Sequence, residues 1–178
     1  DEYLLVINKP PGIVVNNAES VKEETIQDWA AQRMSSRPPI RDPVFEDRAG
    51  IVHRIDKETS GCLLIAKTLD SFVELQRQFK DREIKKTYVA IVHGKLVPEE
   101  GEIRAPVGRL PWNRERFGIV PGGKEAITKF KVLRVMPAAE PGSSDSNAWI
   151  PGQARNDNMT LVELYPETGR THQIRVHL

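Results

Sequence analysis

Asp56 lies between two cations in the run Ile51-Val52-His53-Arg54-Ile55-Asp56-Lys57-Glu58-Thr59-Ser60-Gly61. Arg54 and Lys57 favour its ionised form, because opposite charge stabilises the anion. An ionised carboxylate acts as a nucleophile or a base rather than as an acid. A short apolar strand delivers it into a turn rich in polar residues and glycine. Asp and Ser-Gly also favour turns for backbone reasons, so local chemistry alone favours an ordinary polar turn.

Little else in the chain has the spacing of a reactive cluster. The histidines are spread over His53, His93, His172 and His177, with no metal-ligand spacing, and no metal is expected. His172 and His177 are five apart, a poor fit to one helical face. The single Cys62 cannot form an internal disulfide and, lying in an apolar run, is expected to be buried. The net charge of +1 is no strong nucleic-acid footprint. Gripping phosphates takes local positive charge rather than a large total. Two clusters supply it: Lys80, Arg82, Lys85 and Lys86, and Arg104, Arg109, Arg114 and Arg116 with Trp112 and Phe117 interleaved. Such a mixture suits backbone tracking and base stacking, and equally a solvated basic surface.

Four segments in order extend the evidence. His53-Arg54-Ile55-Asp56-Lys57-Glu58-Thr59-Ser60-Gly61-Cys62-Leu63-Leu64-Ile65-Ala66-Lys67 resembles the H-R-L-D-x-x-T-S-G-L-L-L-x-A-K signature of the RluA-type RNA pseudouridine synthases. Asn8-Lys9-Pro10-Pro11-Gly12-Ile13-Val14-Val15 resembles the family's opening K-P-x-G-x-x-V. Lys86 to Gly94 resembles K-x-Y-x-A-x-V-x-G, and Gly169 to His177 resembles G-R-T-H-Q-I-R-x-H. Ile55 replaces the usual leucine, a volume-conserving change.

The resemblance implies isomerisation of uridine in ribosomal or transfer RNA. No oxidation state changes, so no cofactor is expected. It implies Asp56 as catalytic aspartate, Arg175 as the guanidinium that keeps it ionised, and Tyr88 stacked on the uracil. It implies Arg54 intruding into the RNA to support a flipped base. Lys86 and Arg170, inside matching segments, and Arg109, in the basic cluster, are the further expected RNA contacts. His53 is read as a structural residue of the turn. An aspartate with an ordinary pKa of about 3.9 must stay ionised here, and Arg holds both carboxylate oxygens better than Lys.

Several elements must position these groups. Leu4 to Ile7 and Ile13 to Val15 read as strands around Pro10-Pro11-Gly12. Thr25 caps a helix with Asp28 three residues on, and Ile26, Trp29, Ala30 and Arg33 share a face. Ser35 to Asp47 reads as a loop. Cys62 to Ala66 reads as a strand covered on both faces. Thr68 caps a helix with Phe72, Leu75 and Phe79 at helical spacing. Thr87 to His93, Ala126 to Val135 and Met159 to Tyr165 read as strands. Gly169-Arg170 reads as a turn, with Thr171 capping a helix over His172 to Leu178.

With 178 residues, 39% of them hydrophobic and 29% charged, an ordinary globule follows. The expected fold is α+β, a mixed, largely antiparallel sheet with flanking helices in a two-lobed catalytic domain. That domain is read as 1–178, truncated at its C-terminal end against the family pattern, with 136–158 as a surface insertion. A cytoplasmic monomer without a membrane span is expected. The rivals are a catalytically silent RNA-binding module of the same fold and a carboxylate hydrolase of sugars. The latter normally needs two carboxylates around the bond, and the sequence offers one.

Overall fold

The computed structural model describes residues 1–34, 42–136 and 158–178. The chain divides into two units, Asp1–Ile84 and Lys85–Leu178. Every strand pairing among the described residues is antiparallel, within an α+β fold.

The first unit holds β1 (Leu4–Lys9), α1 (Ile26–Met34), α2 (Pro43–Arg48), β2 (Gly61–Ala66) and α3 (Leu69–Lys80). β1 pairs with β2 from Leu4 opposite Ala66 to Lys9 opposite Gly61. Ala66, Phe45, Phe72 and Leu75 make a core bordered by Leu4, Val52, Leu64, Leu69 and Ile84. Phe45 meets Phe72 edge-on at 5.2 Å between ring centroids. Such a pair contributes about 0.5–1.5 kcal/mol beyond area burial. α3 begins as its sequence indicates: the Thr68 hydroxyl accepts from the Ser71 N–H, and Ser71 reaches back to the Thr68 N–H. At the start of α1, Thr25 and Asp28 exchange the same reciprocal bonds.

Three local expectations fail here. Ile13 to Val15 forms no strand. Its carbonyls are used by α1 instead, with the Ile26 and Gln27 N–H groups donating to Val14 and Val15. This satisfies helix-start donors that have no partner inside the helix. The expected loop over Ser35–Asp47 contains the start of α2. There Asp42 caps Phe45 N–H at 2.8 Å and Pro43 opens the helix; residues 35–41 lie outside the described set. Cys62 is exposed rather than buried. β2 alternates at that end, so Leu63 and Ile65 face inward while Cys62 faces out.

The second unit holds β3 (Tyr88–His93), β4 (Glu100–Arg104), β5 (Val107–Leu110), β6 (Asn113–Ile119), β7 (Ile127–Met136), β8 (Met159–Pro166) and α4 (Gln173–His177). Four strands lie in the order β3-β8-β7-β4, and β5 and β6 form a separate hairpin. Phe130, Val162 and Leu164 form the core, with Tyr88, Ala90, Val92, Leu96, Ile103 and Ile174 packed against it. Met136 stands opposite Met159, so the strands on either side of 137–157 are direct partners. The expected insertion 136–158 falls, except for its ends, outside the described residues. Among the described residues no helix is long and apolar enough to cross a membrane.

Candidate active site

The Asp56 loop is pinned from beneath by the Lys9-Pro10-Pro11-Gly12 segment. Lys9 ends β1 with no exposed surface (0%), and its Nζ donates to the carbonyls of Pro10 at 2.8 Å, Ile13 at 2.9 Å and Lys57 at 2.9 Å. The Lys57 carbonyl also accepts the Gly12 N–H at 2.8 Å. Gly12 makes this approach with φ of 87°, a conformation that side chains disfavour. Thr59 N–H donates to the Asp56 carbonyl at 3.1 Å and closes the turn. Both peptides after Asp56 are therefore held, one by a buried ammonium.

Burial pulls the Lys9 pKa below the ordinary lysine value, while Glu58 and Asp56 pull it back up. The three carbonyls receive the three N–H bonds of an ammonium, which places a fixed positive charge under the Asp56 loop. Lys57 directs its own ammonium to Glu23, at 3.2 Å.

His53 is structural, as its position in the turn indicates. Its Nε2 accepts the Leu64 N–H of β2 at 2.9 Å, and its ring stacks on Phe79 of α3 at 4.7 Å between centroids. A nitrogen that accepts carries no proton, so the ring is neutral with its hydrogen on Nδ1. The backbone then alternates: Ile55 is buried, Arg54 is exposed and Asp56 is half-buried. Arg54 and Asp56 thus leave the chain on one side, as an extended segment requires.

The second unit carries Lys86, Tyr88, Arg109, Arg170 and Arg175. Tyr88 opens β3 opposite Leu164 and packs on the Phe130–Val162–Leu164 cluster. Ile174 packs on the same cluster, so Tyr88 and the helix bearing Arg175 share one core. Lys86 is half-buried two residues before Tyr88. Arg170 Nε donates to the Glu125 carbonyl at 3.0 Å. The Arg109 guanidinium lies 4.9 Å over the Phe117 ring and donates to the Arg114 carbonyl. Phe117 in turn meets His172 edge-on at 5.5 Å. Trp112, in the turn between β5 and β6, is 79% exposed. Arg104 differs from its neighbours in the basic cluster, being paired with Glu102 at 2.9 Å and Glu125 at 3.0 Å. Asp56 and Arg54 belong to the first unit.

α4 departs from its expected form. It has five residues, and Thr171 does not cap it. His172 enters with φ of 54°, in the left-handed region, and no side-chain cap bond forms. Gln173, only 4% exposed, and His177, one turn later, fasten the helix to β7 through Thr128. Arg175, between them in sequence, is exposed.

Lys9, Gln173 and His177 are the residues that sequence reasoning missed. Lys9 carried a signal: a lysine at the end of an apolar strand, beside Pro-Pro-Gly, is placed to reach loop carbonyls. Gln173 and His177 carried a weaker one, two polar residues at i and i+4 on the helix bearing Arg175. Among the described residues no group of three or more His, Cys, Asp or Glu side chains is placed to hold a metal ion.

The family model described as RNA pseudouridylate synthase matches residues 3–178. The chain is 38% identical over 181 residues to the ribosomal large subunit pseudouridine synthase D of Nitrosomonas europaea, covering 100% of this chain and 44% of that protein. It is 36% identical to the protein of the same name from Pseudomonas aeruginosa, covering 100% of this chain and 47% of that one. The chain spans about half the length of the curated relatives it matches. The solved structure of human RNA pseudouridylate synthase domain containing 4 aligns with a TM-score of 0.66 at 25% identity, over 100% of this chain and 61% of that one. Human RNA pseudouridylate synthase domain containing 1 aligns with a TM-score of 0.69 at 24% identity, covering 99% and 61%, a likeness of fold.

Proposed function

Since the chain belongs to the RNA pseudouridylate synthase family, we propose that it isomerises specific uridines of structured RNA, with Asp56 as the catalytic residue. The N1–C1′ bond breaks, the uracil turns, a C5–C1′ bond forms, the C5 proton leaves and N1 regains one. The isomerisation is internally balanced and consumes no oxidant or reductant. The observation that carries this assignment is the Asp56 loop itself. Two donors hold the Lys57 carbonyl, and the buried Lys9 ammonium lies beneath the loop. A nucleophile or a base at the ribose must be held in one place, and these bonds fix the backbone that presents the carboxylate.

The remaining roles follow the family pattern. Arg175 is the guanidinium assigned to the Asp56 carboxylate. Tyr88 stacks on the uracil, which is worth roughly 1–3 kcal/mol per base, and its hydroxyl is suited to the proton transfer at C5. Arg54 fills the space left by the flipped base, offsetting part of a flipping cost of a few kcal/mol. Arg109, Lys86 and Arg170 contact the RNA. The ring contact and guanidinium packing of Phe117 and Arg109 support a rigid arm for that purpose.

Two of the relatives are named for the large ribosomal subunit, so large-subunit ribosomal RNA is the first substrate to test and transfer RNA the second. The test is mapping pseudouridine in both RNAs from cells lacking the protein. Loss of discrete sites, restored by the intact protein and not by its Asp56→Asn form, is expected. Unchanged maps together with RNA binding by the purified protein would favour the silent RNA-binding module.

A further inference from the structure

The first turn of α4 receives little support from its own backbone. Its entry at His172 is left-handed and has no side-chain cap. What holds it is a hydrogen-bond chain centred on the buried side chain of Gln173.

The polarity of that chain is fixed at both ends by backbone groups. The Gln173 amide oxygen accepts the Arg170 N–H at 3.0 Å and the Thr168 hydroxyl at 2.7 Å. Thr168 itself accepts the Ile127 N–H at 3.0 Å. The Gln173 amide nitrogen donates to the Ile127 carbonyl at 3.0 Å and to the Thr128 hydroxyl at 2.9 Å. The Ala105 carbonyl, 3.2 Å from His177 Nε2, can only accept, so Nε2 carries the hydrogen. In the neutral ring Nδ1 is then the acceptor for the Thr128 hydroxyl hydrogen, at 2.9 Å. Both amide hydrogens of Gln173 and both threonine hydroxyl hydrogens have an acceptor, and no alternative orientation of the amide preserves the two backbone bonds.

The chain ties three places together: the turn at Arg170, the start of β7 at Ile127–Thr128, and the end of β4 at Ala105 through His177. Gln173 and His177 lie one turn apart on the face toward β7. Arg175 lies two residues from each, on the exposed side. Ile174 seats the helix on the Phe130–Val162–Leu164 core, but an apolar contact slides and turns more readily than directed hydrogen bonds do.

We infer that Gln173 is a positioning residue: through Thr128, Thr168 and His177 it sets the rotation of α4 and hence the direction in which Arg175 is presented. This rests on the proposed function, in which Arg175 serves Asp56. A misplacement on the order of 1 Å in such a group costs about 10²-fold in rate.

The test uses the intact protein and its RNA substrate. Gln173→Met preserves side-chain length and removes the polar chain; kcat is expected to fall about 10²-fold, with KM for RNA nearly unchanged. In an Arg175→Lys background the same change should cost almost nothing further, because residues that act as one unit are non-additive. Additive losses, or a loss confined to KM, would overturn the inference. Thr128→Val and Thr128→Ser form a second pair that holds if Gln173→Met fails to fold: the valine should lose kcat and the serine keep it. Equal rates for the two would also overturn it. An NMR reading needs no activity. The Arg175 Nε–H signal is expected to be single in the parent and to broaden or split in Gln173→Met, and the His177 ring nitrogens should report the Nε2–H tautomer. An unchanged Arg175 signal refutes positioning even if the parent makes no pseudouridine, a result that would count against the proposed function alone.

Discussion

Replacing Lys9 by methionine removes one buried charge and three hydrogen bonds at a stroke. The carbonyls of Pro10 and Ile13 lose the donor that the ammonium supplied, while the Lys57 carbonyl keeps the Gly12 N–H. An unsatisfied buried polar group costs about 1–3 kcal/mol, and less where water reaches it, as at the exposed Pro10. The lost bonds are further offset because an ammonium no longer has to be desolvated. The net loss comes to about 1–3 kcal/mol, centred on the Asp56 loop. Urea unfolding measures it, with a lower midpoint and an unchanged slope expected. The loop also loses its positive charge, so the rate of C5 hydrogen release from uridine in a single turnover should fall even in dilute urea-free buffer, where the variant stays folded.

A pH signature accompanies the change. Burial lowers the folded-state pKa of Lys9 below its ordinary 10.5. Between the lowered value and 10.5 the unfolded chain binds the extra proton, so this group makes stability rise with pH across that window. Lys9→Met should abolish the rise. An unchanged urea midpoint together with an unchanged rate would show that Lys9 is a passenger beneath the loop.

His53→Phe should keep the stacking on Phe79 and leave the Leu64 N–H of β2 without its acceptor; a loss of about 1–3 kcal/mol and faster hydrogen exchange at Leu64 are expected, and slow exchange there would contradict the bond. On α3, the Arg77 guanidinium, helped by Gln78, holds the Glu74 carboxyl at about 2, below its ordinary 4.5. That contribution is complete above the ordinary value and fades as pH falls toward the lowered one, so Arg77→Ala should return the Glu74 NMR titration to the ordinary carboxylate range and remove the acid-side dependence.

Thr68 and Thr25 announced their helices because a capping box is a local device, written within four residues. The strands β3, β7 and β8 were legible for a similar reason, since alternation reports which face is buried. Ile13–Val15 looked like a strand by the same criteria but gives its carbonyls to α1, a tertiary use that no local pattern encodes. The hairpin β5–β6 was hidden because Arg109, Arg114, Arg116 and Trp112 make both faces look polar or exposed, and charge drew attention where alternation was missing. α2 was signalled by Asp42-Pro43, yet its six residues are too few for a periodicity to register.

For the candidate site, the sequence supplies names and little of the support. Asp56, Tyr88 and Arg175 are proposed from the four segments in order. Lys9 does not stand out, because its partners are backbone carbonyls 48 residues away and nearer, and carbonyls leave no trace in a sequence. Gln173 and His177 depend on Thr128 and Ala105, at separations of 45 and 72 residues. Polar groups that work through long-range bonds become visible only when the strands that carry their partners have been placed.

The most direct measurement concerns Asp56 itself. The intact protein and its Asp56→Asn form, matched for thermal stability and RNA affinity, are incubated with large-subunit ribosomal RNA, and pseudouridine is counted site by site. The parent should convert discrete uridines while the asparagine form binds the same RNA and converts none. Conversion at a near-parental rate by Asp56→Asn would remove the carboxylate from the chemistry and contradict the account at its root.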